Sequence, residues 1–428
     1  MNEKPEKDTE ATKQSDVSVK LWNRDFFLLW QGQFVSMAGD IAYQIALGFW
    51  ILAETGSTAI MGTLMATSMI PRILISPAAG VMVDRANRRN ILVLMDLIRG
   101  VVISLIAIAA YTDRLEIWMV FAGGIAIGIC GAFFNPAVSS VIPDIVHKTK
   151  IVQANSVFGM VQSLSSIVSN SAAGFLYALF GAPFLFLFNG ISYLFSSITE
   201  VFIRVPKIER ESKTTRFMDD FKSGLKFVWG FTALKQLMYI TAAFNFFLSV
   251  AFVLLLPMFE QNESLGPKGY GIVAALFTAG MFASLIVTST RQIEPRKRLR
   301  YFIPSLFIFG LSFAFVPLYL SVPVIGSLMF ISGVACTFIN MFVIATMQIV
   351  IPQEMRGRVF ALLGSLIPAF MPLAYIIGGV LAEFIPIRIL FVSSFVIVLV
   401  LSVPMSLSKP IRAFVSFDPD TDTLDDLR

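Results

Sequence analysis

Pro71-Arg72-Ile73-Leu74-Ile75-Ser76-Pro77-Ala78-Ala79-Gly80-Val81-Met82-Val83-Asp84-Arg85-Ala86-Asn87-Arg88-Arg89-Asn90 is an apolar run that ends in a tight, strongly basic turn. The apolar character reaches back to Ser57 and resumes at Ile91. The turn therefore joins two apolar helices, each long enough for the roughly 20 residues that cross hydrocarbon. Arginines at such a turn mark the side on which positive charge is retained.

The same pattern recurs along the chain of 428 residues, which is 56% hydrophobic and 14% charged. Soluble domains average roughly 25% charged residues, so this surface needs lipid. Apolar runs of membrane length are expected at about 26–53, 57–83, 91–111, 117–141, 151–179, 183–203, 237–259, 270–290, 301–320, 322–350, 359–383 and 386–407. The expected fold is all-α integral membrane, with twelve transmembrane helices as two six-helix bundles around a central cavity. The 41 Phe and 19 Met make its apolar surface adaptable.

With the amino terminus inside, 28 of the 33 Lys and Arg fall on the inner side, and only Arg114, Lys268 and Arg388 fall outside. This predicts a multi-pass protein of the cell inner (plasma) membrane with both termini cytoplasmic. Anionic inner-leaflet lipid then accounts for the net charge of +5 without nucleic acid. The first 20 residues contain no apolar leader, so the first span is expected to serve as the signal.

Residues 204–236 are polar, and within them Phe217, Phe221, Leu225 and Val228 recur at helical spacing among Arg216, Lys222 and Lys226. That is the pattern of an amphipathic helix on the inner surface. It divides the chain into a cytoplasmic tail (1–25), an amino-terminal bundle (26–203), a linker (204–236), a carboxy-terminal bundle (237–408) and a solvated cytoplasmic tail (409–428). The bundles echo each other: Asn135 and Asn340, Gly159 and Gly364, and Gly174 and Gly379 are each 205 residues apart. Val141-Ile142-Pro143-Asp144 matches Val350-Ile351-Pro352-Gln353 at a spacing of 209. Half-chain duplication is a common transporter construction.

Several chemistries find no support. Cys130 and Cys336 both lie in apolar runs and have no metal or disulfide spacing. His147 is the only histidine, which leaves no histidine-based catalytic or zinc site. Asp418, Asp420 and Asp422 begin a calcium-loop spacing, but Thr423 stands where glycine is required. No phosphate-binding G-x-x-x-x-G-K-[ST] loop is present. No cofactor and no metal are expected, and the chain is expected to be a monomer and not an enzyme.

Gly80-Val81-Met82-Val83-Asp84-Arg85-Ala86-Asn87-Arg88-Arg89 resembles the G-x-x-x-D-R-x-x-R-R/K signature of the major facilitator superfamily. Helix number, the central linker and the half-chain repeat agree, so the resemblance covers essentially the whole chain. Ser36-Met37-Ala38-Gly39-Asp40, Thr55-Gly56-Ser57 and Gln353-Glu354-Met355-Arg356-Gly357-Arg358-Val359 are similar to the bacterial macrolide-efflux and enterobactin-exporter group. The antiporter G-x-x-x-G-P-x-x-G-G run of helix 5 would fall near Ser165–Gly174, where Ser169-Asn170 replace Gly-Pro.

The resemblance implies alternating access and export of amphiphilic, drug- or macrolide-like molecules by proton antiport. It also implies a cytoplasmic gate built from Gly80, Asp84, Arg85, Arg88 and Arg89, with Asp84 facing Arg356 and Arg358. Glycine at position 80 is expected to permit close helix approach. Asp96 and Arg99, near the inner end of helix 3, are assigned to the same gate, or else form an ordinary i,i+3 pair.

Asp40 is the acid nearest mid-membrane, about 14 residues or roughly 21 Å into helix 1. It shares a polar stripe with Gln33, Ser36 and Gln44, which is expected to face a cavity. Asp40 is the candidate proton carrier; the alternative is a structural acid. Arg72 is the deepest cation, and the two are candidates for a pair broken by protonation. Phe49, Asn135, Phe246, Phe247, Asn340 and Met341 are further cavity candidates, although Asn135 and Asn340 equally suit interhelical hydrogen bonding. Rival functions are a lipid or siderophore exporter of the same fold and, from another class, a membrane sensor or membrane enzyme.

Overall fold

The computed structural model describes residues 21–205, 217–262, 264–290, 293–419 and 421–423. Among these are fourteen α-helices and no strand. The amino-terminal half holds α1 (Arg24–Thr55), α2 (Thr58–Arg85), α3 (Arg88–Tyr111), α4 (Ile117–Ile145) and α5 (Ile151–Val201). The carboxy-terminal half holds α6 (Phe217–Gly230), α7 (Thr232–Glu260), α8 (Gly266–Thr290), α9 (Arg298–Phe315) and α10 (Val322–Val350). It is completed by α11 (Gln353–Ala369), α12 (Met371–Leu381), α13 (Ile387–Leu407) and α14 (Lys409–Val415). Eleven spans among the described residues are long and apolar enough to cross a membrane, one of them made by α11 and α12 together and one by Ala172–Val201 of α5.

The twelfth crossing lies within α5. Its 51 residues would extend about 75 Å as one rod, far beyond the roughly 30 Å of hydrocarbon. The run reverses at Gly181, whose φ of 73° is accessible to glycine at little cost. Two arms result, 151–180 and 182–201, and both lie along α1. Phe26 meets Phe158 and Phe49 meets Tyr177, so the first arm runs with α1. Gly32 meets Ser196 and Thr199 while Gly39 meets Asn189 and Ser192, so the second arm runs against it.

Local sequence shapes the basic turn. Arg85 ends α2, Ala86 is extended, and the Asn87 side chain accepts from Asn90 N to cap α3. Arg88 and Arg89 thereby become the first residues of α3. Arg88 forms an ion pair with Asp144 at the end of α4, and Arg89 donates to the Val201 carbonyl at the end of α5. The start of α1 joins them: Asn23 donates to the Ile145 carbonyl at 2.7 Å, and Asp25 accepts from Arg204 N at 3.0 Å. These termini define a basic face, and the opposite ends define a far face.

The apolar core forks. One cluster draws on both halves and includes Phe49, Met61, Phe186, Leu256, Phe259 and Ala374. Toward the basic face it separates into a cluster confined to the amino-terminal half, around Phe26 and Val141, and one confined to the carboxy-terminal half, around Phe302 and Phe414. The halves are thus packed together at the far face and separate at the basic face.

Glycine carries that far-face packing. A Cβ on Gly62 would lie 2.3 Å from the Tyr375 carbonyl and 3.2 Å from the Gly379 Cα, so α2 and α12 touch backbone to backbone. A Cβ on Gly271 would lie 2.5 Å from the Asn170 carbonyl and 3.2 Å from the Gly174 Cα, which is the same contact between α8 and α5. Gly62 and Gly271 are 209 residues apart, as are Thr58 and Pro267, whose carbonyls meet Gly379 and Gly174. Asn170 and Tyr375 repeat the spacing of 205. The two seams are one contact built twice.

Three expectations need correction. The expected helix at 359–383 begins at Gln353 and breaks at Phe370 into α11 and α12. Pro372 lacks the N–H that would bond the Pro368 carbonyl, so the helical ladder cannot continue. The carboxy-terminal segment is not simply a solvated tail: α14 buries Ile411, Phe414 and Val415 completely. Gly80 makes no close helix approach, because a Cβ there would meet nothing within 4 Å. The linker helix α6 has its expected apolar face, with Val228 buried and Phe221 and Leu225 against the core. Arg216 and the Phe217 side chain lie outside the described residues.

Candidate functional site

A cavity of about 480 Å³ lies where the core forks. Asp40 and Gln44 of α1, Arg72 of α2, Arg99 of α3, Asn135 of α4 and Tyr193 of α5 form its polar wall. Met65, Phe252, Leu256, Tyr270 and Tyr375 form much of the apolar remainder, so both halves contribute. Small-molecule sites commonly measure roughly 300–1,000 Å³ and combine an apolar lining with a few fixed polar groups.

Asp40 is held from behind by the second arm of α5. Tyr193 donates its hydroxyl to Asp40 Oδ1, and Asn189 Nδ2 lies 3.5 Å from the same oxygen. Arg72 shares the cavity wall, but Asp40 and Arg72 form no ion pair. The expected pairing fails because the tyrosine reaches Asp40 from the helix packed on α1, whereas Arg72 projects from α2.

Asp96 and Arg99 form the i,i+3 ion pair at 2.6 Å, but they are not part of a surface gate. Both are buried, and the guanidinium lies 4.0 Å from the Phe134 ring centroid and 4.7 Å from that of Tyr193. Their face of α3 points into the amino-terminal half because Gly100 lets α3 close on Leu194.

The polar stripe of α1 divides. Asp40 and Gln44 reach the cavity, whereas Gln33 and Ser36 are 3% and 4% exposed and face the second arm of α5. Ser36 donates to the Gln33 carbonyl at 3.4 Å. Phe49 is fully buried against Tyr177 and Tyr270, where it plugs the far end instead of lining the cavity. Phe246 and Phe247 pack edge to face beside the shared core and do not line the central cavity. Asn340 and Met341 line a separate cavity of about 450 Å³ between α8 and α10, with Thr278, Met281, Phe282 and Gln348. The Asn340 amide donates to its own helix, to the Cys336 carbonyl at 2.9 Å.

The expected gate is only partly brought together. Arg88 and Arg89 bind within their own half, as described above, and Arg85 is exposed. Arg356 donates to the Ile351 carbonyl at 3.5 Å, and Arg358 lies 3.8 Å from the Met355 sulfur, both within the carboxy-terminal half. The side chain of Asp84 lies outside the described residues.

Four functional candidates escaped the sequence reading. Tyr193, Ser196 and Glu200 recur with Asn189 every three to four residues along the second arm, a signal as clear as the stripe on α1. The fourth candidate is at the far face. Glu383 Oε1 accepts from Ser57 Oγ at 2.7 Å, Ala59 N at 3.0 Å and Thr58 Oγ1 at 3.2 Å. A carboxylate from the carboxy-terminal half thus caps a helix of the amino-terminal half. The Ala59 N–H and the Ser57 and Thr58 hydroxyls stabilise the anion and hold its pKa below the ordinary carboxyl value.

Comparison with known proteins places this geometry. Macrolide efflux protein A of Streptococcus pyogenes is 26% identical over 399 residues, covering 91% of this chain and 97% of the relative. Multidrug efflux pump Tap of Mycolicibacterium fortuitum is 24% identical over 389 residues, covering 88% and 92%. Among solved structures, a bacterial homologue of the human lysosomal transporter Spinster, inward-facing and unoccupied, superposes with a TM-score of 0.67 at 14% identity, covering 92% of this chain and 99% of that one. A bacterial homologue of the iron transporter ferroportin in an inward-facing state gives 0.62 at 16% identity, covering 90% and 99%. The Major Facilitator Superfamily model matches residues 29–367. With two six-helix halves, a cavity between them and that match over most of its length, the chain belongs to the Major Facilitator Superfamily.

Proposed function

We propose that this transporter exports amphiphilic small molecules by proton antiport and alternating access. The basic face lies in the cytoplasm of the cell's plasma membrane, with both termini on that side. The observation that carries the reading is the mixed cavity: its one carboxylate, Asp40, stands on a polar wall of the amino-terminal half and faces an apolar lining to which both halves contribute. Its companions Tyr193 and Asn189 satisfy the anion, so Asp40 can exist in either charge state with modest rearrangement.

In the cycle, the far seams close while the cavity admits cargo from the basic face. The halves then rock, the seams part, and the cargo leaves outward as Asp40 takes up a proton. Return to the first state delivers that proton to the cytoplasm. The macrolide and multidrug efflux relatives support cargo of this class. A lipid exporter is the second reading, favoured by the apolar cavity between α8 and α10, where Leu285 and Ile344 are exposed.

Proteoliposomes with an imposed pH gradient and a panel of macrolides and dyes test the proposal. Gradient-driven movement in the wild type, lost in Asp40→Asn, is the expected result. Movement indifferent to the gradient, or coupling intact in Asp40→Asn, overturns it.

A further inference from the structure

Glu200 is fully buried in the last turn of the second arm of α5, and the cavity does not reach it. Helix α1 closes directly over that turn, because Gly32 lets Ser196 and Thr199 approach within 2.9 Å of where a Cβ would stand. The groups facing Glu200 are Gln33 of α1, Asp96 and Arg99 of α3, and Ser196 of its own arm. Asp40 and Tyr193 lie farther along the same cluster.

Among the described residues no cation forms an ion pair with Glu200. Arg99, the guanidinium of this cluster, pairs with Asp96 at 2.6 Å and lies between two aromatic rings. Ser196 Oγ is 3.5 Å from Glu200 Oε1, while Glu200 Oε2 has no hydrogen bond. Gln33, itself 3% exposed, leaves Nε2 without a hydrogen bond. Three carboxylates therefore crowd one guanidinium, and of the three only Asp40 reaches the cavity. A buried carboxylate without its own cation costs several kcal/mol. The neutral acid avoids that cost, and its carbonyl oxygen can still accept from the unpaired Gln33 amide.

Position adds a second argument. Asp40 stands on the cavity wall, whereas Glu200 is one residue from Val201, whose carbonyl binds Arg89 at the basic face. Tyr193, Asp96, Arg99 and Ser196 lie between the two acids. We propose that Glu200 is a second proton-binding carboxyl, the station through which Asp40 exchanges protons with the compartment at the basic face. Asp40 gives up one proton, the Tyr193 and Ser196 hydroxyls each accept one and pass one on, and Glu200 regains the proton it releases to water at that face. Only O–H bonds break and form, and Arg99 stays charged throughout. The inference rests on the antiport reading above and adds its inner exit.

Infrared spectroscopy of the purified full-length protein, combined with ethidium transport in proteoliposomes, tests it. Glu200 is the one fully buried glutamate among the described residues. The wild type at neutral pH should show the C=O stretch of a protonated carboxyl that shifts on ¹³C-glutamate labelling, a readout that needs no mutation. Glu200→Gln should remove that band, retain ethidium binding and lower gradient-driven transport at least tenfold. Absence of a label-sensitive band with gradient-driven wild-type transport overturns the role of Glu200 and leaves antiport standing. So does a Glu200→Gln variant that couples like the wild type. A wild type that shows the band yet ignores the gradient overturns antiport and the relay together.

Discussion

Glu383, just beyond α12, accepts a hydrogen bond from the backbone N–H of Ala59 in the first turn of α2 at 3.0 Å. One half of the molecule thereby caps a helix of the other, next to the seam where Gly62 meets Tyr375 and Gly379. Opening the far face must break this cap, so its strength enters the balance between the two states.

Glu383→Gln should therefore favour opening at the far face. The loss is about 0.5–1 kcal/mol, at the low end for caps because the carboxylate is exposed to solvent. Paired spin labels on α2 and α12 measure the shift. The cap needs the ionised form, and its hydrogen bonds lower the Glu383 pKa from the ordinary 4.5. Its contribution is complete above that ordinary value and lost as pH falls through the lowered one. From about pH 5 upward, Glu383 should add no pH dependence to the spin-label distances.

Gly62→Ala and Gly271→Ala should each force the seams apart. The new methyl meets a carbonyl at 2.3 Å and 2.5 Å respectively, and backbone cannot swing aside as a side-chain tip can. Overpacking of this kind costs about 1–3 kcal/mol, or roughly 5- to 150-fold in the closed population. Cysteine cross-linking across the far face should drop in both variants. Gly80→Ala meets nothing within 4 Å and should leave the same cross-link intact.

Tyr193→Phe should retain the fold, because the ring still packs under Arg99. It removes the hydroxyl that donates to Asp40. A hydrogen bond to a charged group is worth about 1.5–3 kcal/mol, so gradient-driven transport should fall roughly 10- to 150-fold. Unchanged coupling in proteoliposomes would separate Tyr193 from the proton site.

Arg99→Gln should damage stability first. It leaves Asp96 buried beside Asp40 and Glu200 without the guanidinium. Removing one partner of a buried pair costs about 3–5 kcal/mol. A lower thermal midpoint in detergent checks this, and adding Asp96→Asn should restore part of the loss.

Much of this architecture was legible in the chain itself. Membrane length, the one-sided arginines and the spacings of 205 and 209 residues express short-range rules, because lipid demands continuous apolar helices and duplication preserves register. Asp40 was expected at the cavity from its polar stripe, and its pairing with Arg72 from depth alone. Depth does not specify azimuth: Asp96, Arg99, Gln33 and Ser36 turn into the amino-terminal half because Gly32, Gly39 and Gly100 permit close packing there. Tertiary structure also decided that Asp40 meets Tyr193 and not Arg72, and that Glu383 reaches across to α2. Such contacts join segments more than 150 residues apart, and which side chains meet depends on how two helices rotate against each other. A helix's own sequence sets its apolar and polar faces, but only the neighbour packed against it decides what each polar group will bind.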